Sequence, residues 1–190
     1  MERYGISPQS LDWGSEKTQK LRFSILTQID NLNEQKILDL GCGQGDLLYY
    51  LKNNNIECSY TGYDITPRMI EVAKKRFPEA QLEVKDILDE LNPLTSLPQF
   101  DYVLASGLFY LRKIEPLFYL KTIVNRMFLL CNKGVAFNSL SDCSAHKNTG
   151  EFYAKPAEIL SICLELTPYV VLRHEYLSND FTVYLYKKSL

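Results

Sequence analysis

Between an apolar run at 36–40 and a helix-like stretch lies Gly41-Cys42-Gly43-Gln44-Gly45. Alternating glycines placed directly after a buried-type strand and directly before a helix constrain the fold more than any other feature of the chain. Glycine lets a backbone turn tightly and lets a ligand approach with no Cβ in the way. The helix that opens behind the turn offers free N–H groups and the positive end of its dipole. A strand, a glycine turn and a helix form the opening unit of a doubly wound α/β sheet, which binds ligands at the carboxyl ends of its strands.

The rest of the pattern agrees with that unit. Residues 15–30 read as a helix, with Ser15 or Thr18 as cap and Leu21, Phe23, Ile25, Leu26 and Ile29 as the apolar stripe. A helix over 45–53 stops at Asn53-Asn54-Asn55, and a second strand covers 58–63. Thr66-Pro67 is an N-cap and N1 pair for a helix with Ile70, Ala73 and Phe77 at helical spacing. Strands at 81–84, 100–105 and around 135–137 follow, with a helix at 116–130 between the last two. After a polar loop at 139–150, a helix opens near Pro156. The runs at 170–176 and 181–186, turning at 177–180, predict an antiparallel pair. The expected fold is α/β: a doubly wound, mostly parallel seven-stranded sheet with a C-terminal antiparallel hairpin and a short N-terminal helical extension. The expected division is an extension or lid over 1–34 and a ligand-binding domain over 35–190.

With 190 residues, 46% of them hydrophobic, the chain can bury a real core. A net charge of -2 gives no electrostatic reason to expect nucleic acid or an anionic membrane as partner. Cys42, Cys58, Cys131, Cys143 and Cys163 are odd in number, scattered and without a CxxC pair. They favour neither a disulfide framework nor a metal site, and they suit a reducing cytoplasm. MERYGISPQS has no apolar core of a signal peptide, and no stretch has the roughly 18 apolar residues of a membrane span.

The register of the glycines narrows the ligand. A dinucleotide site uses G-x-G-x-x-G, which would put a glycine where Asp46 stands. An acidic side chain there repels a pyrophosphate, so an NAD-linked oxidoreductase is disfavoured. The run Asp39-Leu40-Gly41-Cys42-Gly43-Gln44-Gly45 instead reads D-x-G-x-G-x-G. It resembles motif I of the class I S-adenosylmethionine (SAM)-dependent methyltransferases, whose cofactor is cationic and carries no phosphate. The resemblance has specific motifs over 36–140 and is looser over 166–187.

That resemblance implies SAM as cofactor and gives several residues a role. Asp39, Gly41, Cys42, Gly43 and Gly45 form the turn around it. Asp64 ends the second strand about 20 residues past the glycines, where a ribose-binding carboxylate belongs. Ile65 and Met69 are the candidates for packing on adenine. Asp86 and Ile87 match the pattern in which an acidic side chain and the next backbone N–H read the adenine edge. Ser106, in the segment Ala105-Ser106-Gly107-Leu108, ends the fourth strand between cofactor and acceptor. Arg22 is placed to meet the methionine carboxylate. Each residue also has a plain structural reading: a turn residue for Asp64, a cap for Asp86, an ion-paired or solvated arginine for Arg22.

Methyl transfer from a sulfonium is an in-line displacement that rests on positioning, and a general base is needed only when a proton must leave early. Ser106, Tyr110, Asn138 and His146 are the weak catalytic candidates, and His174 reads as a half-buried structural histidine. Tyr4 and Trp13 are candidates for a lid. The fourth strand lacks the D/N-P-P-Y/F/W of members that act on base amines or glutamine. The leading expectation is methyl transfer to a small organic acceptor, with an acceptor presented by a carrier or another protein second, and no metal, no nucleic acid and no membrane involved. The alternatives are an enzyme that cleaves or cyclises SAM or moves another alkyl group, and a non-catalytic SAM-binding protein.

Overall fold

A computed structural model describes residues 15–89, 97–111 and 114–188. Tyr4 and Trp13, the expected lid residues, lie outside this range. Ser15 caps α1 (Glu16–Leu26) through a reciprocal box: its hydroxyl accepts from the Thr18 amide at 3.2 Å, and Thr18 Oγ1 accepts from the Ser15 amide at 3.3 Å. The expected helix over 15–30 changes character after Leu26, where a 3-10 turn (Thr27–Ile29) completes it.

The strands are β1 (Lys36–Leu40), β2 (Ser59–Asp64), β3 (Gln81–Val84), β4 (Phe100–Ala105), β5 (Cys131–Leu140), β6 (Val170–Leu177) and β7 (Asp180–Tyr186). They form one sheet in the order β3-β2-β1-β4-β5-β7-β6. The first five are parallel, and β7 runs antiparallel to both β5 and β6. The expected C-terminal pair is present, with β7 lying between its partner and β5. Strand β5 is ten residues long and reaches back to Cys131, so Ser139 and Leu140 belong to it and not to the loop that follows.

The connecting helices are α2 (Asp46–Asn53), α3 (Pro67–Arg76), α4 (Pro116–Leu130) and α5 (Pro156–Leu164). Strand side chains alternate between two buried layers, as the pleat requires. Ile37, Tyr102, Leu104, Tyr184 and Tyr186 pack with Phe23, Leu26, Leu51 and Ala73 from α1, α2 and α3. Leu38, Val103, Ala105, Val183 and Leu185 pack on the other face with Leu120, Val124, Met127 and Ile159 from α4 and α5. Helix α1 is tied to the sheet by the Tyr184 hydroxyl, which donates to the Ile25 carbonyl, and by the Tyr186 hydroxyl, which donates to the Ile29 carbonyl at 2.9 Å.

Because β2 and β4 flank β1 on opposite sides, the chain reverses its direction of strand addition there. Such a switch point leaves a crevice beyond the carboxyl ends of the strands. The glycine turn after β1 lies at that crevice.

Candidate functional site

The turn is built as its glycines require. Gly41, Gly43 and Gly45 all have positive φ, at 75°, 53° and 82°. Gly45 is the N-cap of α2, and a Cβ on it would lie 2.9 Å from the Phe77 ring. Gly41 is covered by Leu108, whose Cδ1 would lie 3.0 Å from an added Cβ. The amides of Gly41 and Cys42 both donate to the Tyr63 carbonyl, which fastens the turn to the end of β2.

Asp64 completes that fastening. One carboxylate oxygen accepts from the Gly43 amide at 2.9 Å and the other from the Thr66 amide at 2.8 Å. The second contact is the Asx turn that leads into α3. Thr66 stands at the N-cap position of α3, but its own side chain makes no capping bond, so Asp64 shapes this helix entry.

A cavity of about 200 Å³ opens over the turn. Asp39, Gly41, Cys42, Gly43, Asp64, Ile65, Met69, Ser106 and Tyr110 line it, whereas Gly45, at the entry to α2, lines neither this cavity nor the one beside it. A second cavity of about 60 Å³ shares Gly41, Asp64, Ile65, Leu108 and Tyr119 with it and adds Lys85, Asp86 and Ile87. Asp86 is spent partly on its own turn, where it accepts from the Leu88 amide at 2.8 Å. Ile65 is 61% exposed at the rim, free to cover a flat ligand.

Asp39 is buried, and the Tyr60 hydroxyl donates to it at 2.6 Å. Burial pushes the Asp39 carboxyl up to about 7; the Tyr60 hydrogen bond opposes this, and the charges of Asp64 and Asp46 add to it. Asp46 sits at the first turn of α2 and is held by Arg76, whose Nη1 donates at 2.7 Å to both Asp46 and the Gln44 carbonyl. Among the described residues lining the larger cavity there are three carboxylates and no lysine, arginine or histidine. That donor set fits a cationic ligand without phosphates and opposes a pyrophosphate.

Three expectations change. Arg22 does not line the cavity: it is buried, and its Nε donates to Asp180 at 2.8 Å. The buried partner on β7, 158 residues away, draws it off the crevice. Asn138 is also buried outside the lining, with its amide committed to Gly107 and Asp180. His146 is exposed in the loop after β5 and lines neither cavity. His174 is half-buried as expected, edge-on to the Phe181 ring.

Sequence reasoning passed over Gln19 and Phe23, which line the cavity from α1, and Leu108 and Tyr119, which line it from the turn after β4 and from α4. Gln19 and Phe23 are four residues apart and share a helix face, which is the signal that was there to read. Tyr60 is invisible as a partner of Asp39 until β1 and β2 pair.

A family model described as a methyltransferase domain matches residues 38–134. A protein of Mycobacterium tuberculosis named as a methyltransferase is 31% identical over 160 residues, covering 80% of this chain and 93% of its own. The demethylmenaquinone methyltransferase of Thermotoga maritima is 32% identical over 85 residues, 45% of this chain and 36% of that one. Among solved structures, a SAM-dependent methyltransferase from Archaeoglobus fulgidus aligns with a TM-score of 0.67 at 18% identity, over 95% of this chain and 97% of that one. The magnesium protoporphyrin IX methyltransferase from Synechocystis, with SAM bound, aligns at 0.63 and 13% identity over 95% and 79%. The chain belongs to the methyltransferase domain family, the class I S-adenosylmethionine-dependent methyltransferases.

Proposed function

We propose that this protein transfers a methyl group from SAM to a small organic acceptor held over the Ser106–Leu111 side of the cavity. The observation that carries the reading is the glycine turn fastened to Asp64 beneath a cavity lined by carboxylates alone among charged groups. When bound, SAM supplies a methyl group already activated on a sulfonium. The chain's part is to hold and align. The bare backbone at Gly41 and Gly43 lets a ligand approach closely. Asp64 keeps unused lone pairs that can accept from a ribose diol, and Asp86 with the Ile87 amide offers an acceptor and donor pair for an adenine edge. Asp39 balances positive charge.

The acceptor reading rests on the apolar walls contributed by Phe23, Leu108 and Leu111. The chain's net charge of -2 supports a small molecule over nucleic acid. Relatives named for demethylmenaquinone and trans-aconitate, matched over 36% and 31% of their own lengths, support a small acceptor, and one matched over 29% of its length is named for ribosomal RNA. Five free cysteines suit a reducing compartment, the cytosol. No helix among the described residues is long and apolar enough to cross a membrane.

Calorimetry tests the reading. SAM and S-adenosylhomocysteine are expected to bind the purified protein in the micromolar range, with the affinity lost in Asp64→Ala and no binding of NAD. NAD binding in place of SAM sinks the proposal. Labelled SAM with a panel of small acceptors then reads methyl transfer.

A further inference from the structure

The carboxylate of Asp180, at the first residue of β7, is 2% exposed and sits where four elements meet. Arg22 on α1 donates to its Oδ2 at 2.8 Å. The Asn138 amide nitrogen on β5 lies 3.3 Å from both of its oxygens. The Tyr176 hydroxyl on β6 donates to its Oδ1 and lies 2.8 Å from Thr182 Oγ1. The other end of Asn138 faces the cavity side: its Oδ1 accepts from the Gly107 amide at 3.0 Å.

These partners fix the orientation of the Asn138 amide on chemical grounds. A carboxylate only accepts and a backbone N–H only donates. Asn138 must therefore present Nδ2 to Asp180 and Oδ1 to Gly107. Gly107 has φ of 71°, so its turn has a sharply defined shape. The residue before it, Ser106, lines the cavity and is 7% exposed, and its hydroxyl has no hydrogen-bond partner among the described residues. The residue after it, Leu108, covers Gly41 of the glycine turn. Moving this segment therefore moves an unsatisfied hydroxyl and the wall over the cofactor turn together.

Building on the methyltransferase reading, we infer that Asp180 is a positioning residue of the methyl-transfer site. Acting through Asn138, it holds the Ser106–Gly107 turn, so that the Ser106 hydroxyl and Leu108 meet the bound ligands. Arg22 and Tyr176 hold Asp180 in turn. The fixed element that orients this side of the cavity is thus assembled from α1, which precedes the glycine turn, and from β5, β6 and β7, which lie far from it in sequence. An ion pair buried this deeply gains little stability over a well-packed apolar pair, so a role in orientation accounts for it better than one in stability.

A charge swap tests this. Asn138→Asp sets two carboxylates face to face and is expected to weaken S-adenosylhomocysteine binding at pH 8 by about tenfold, the worth of one buried hydrogen bond. Burial already raises the Asp180 carboxyl, so lowering the pH to 5.5 favours a proton shared by the pair, and the ratio to wild type at the same pH should shrink. The double variant Asn138→Asp/Asp180→Asn restores an amide facing a carboxylate with the order reversed. It should bind within about threefold of wild type at pH 8. Thermal melting is followed in parallel. Unchanged affinity in Asn138→Asp overturns the inference. So does a swap variant that melts like wild type and still binds as weakly as the single variant, because the pairing is then only structural. If Asn138→Asp does not fold, Tyr176→Phe takes its place: it keeps the ring and removes one donor from Asp180. A loss of about threefold is expected there, and none overturns the proposal. Wild-type protein that binds neither SAM nor S-adenosylhomocysteine is a separate result, which removes the methyltransferase reading itself.

Discussion

The Gly43 amide donates to Asp64 Oδ2 at 2.9 Å, so the glycine turn after β1 and the carboxylate ending β2 form one hydrogen-bonded unit. The other oxygen of Asp64 serves the Thr66 amide. Asp64→Asn is isosteric but has a single accepting oxygen, and its NH2 must face one of two donors. It should lower SAM affinity by about tenfold, the range of one hydrogen bond to a charged group. Calorimetry reads the change, and an Asn variant that binds as wild type would mean the turn holds its shape unaided.

Asp39 predicts a pH dependence of two opposite signs. Its carboxyl is raised from 3.8 to about 7 by burial. The native protein keeps that proton between about pH 4 and 7, whereas the unfolded chain has released it. Over this window the native state binds more protons, so the contribution of Asp39 to stability falls as pH rises and levels off above 7. Affinity for cationic SAM runs the other way, rising with pH through 7 as Asp39 ionises beside Asp64 and the Arg76-paired Asp46. Calorimetry near pH 6.5 in two buffers of different ionisation heat should detect a proton released on binding. Asp39→Asn should abolish that release, and a wild-type protein that releases none contradicts the assignment.

Ser106→Ala separates stability from function. The hydroxyl is buried and has no partner among the described residues, so its removal discards a polar group that makes no hydrogen bond to them. Stability by urea unfolding should stay within about 0.5 kcal/mol of wild type or rise. Methyl transfer to an identified acceptor should slow. A destabilisation of about 2 kcal/mol, the size of a lost buried partner, would show that the hydroxyl is hydrogen-bonded after all.

What the sequence disclosed, and what it withheld, follows the range of the interactions involved. The glycine turn, Asp64 and Asp86 are legible because each is a local exchange between a strand end and the next turn. The Asp180 assembly is not, since Arg22 and Asp180 are 158 residues apart and meet only once β7 inserts between β5 and β6. The same holds for Tyr60, which reaches Asp39 across the register of β1 and β2. Arg22 shows the cost of local reading: an arginine on the helix ahead of the turn looks available to a ligand carboxylate, and a buried partner from the last strand has taken it. The ends of β5 were missed because Cys131 and Ser139 lack a strand's apolar alternation, and hydrogen bonds from β4 and β7 extend the strand beyond its apolar centre.

Gly45 offers the sharpest test of the turn itself. Its φ is 82°, a conformation that costs an L-residue roughly 1 kcal/mol or more. A Cβ there would stand 2.9 and 3.0 Å from two carbons of the Phe77 ring. The ring cannot withdraw easily: Phe77 is buried, with the Arg76 guanidinium and Lys52 ammonium 5.3 and 5.4 Å from its centre. Overpacking adds about 1–3 kcal/mol, so Gly45→Ala should cost about 2–4 kcal/mol in urea unfolding. The two causes separate in a double-mutant cycle. Phe77→Leu removes the ring but leaves the backbone angle untouched, so Gly45→Ala should cost at least 1 kcal/mol less in that background. Strictly additive losses would place the whole penalty in the backbone, with Phe77 no part of why a glycine stands at the entry to α2.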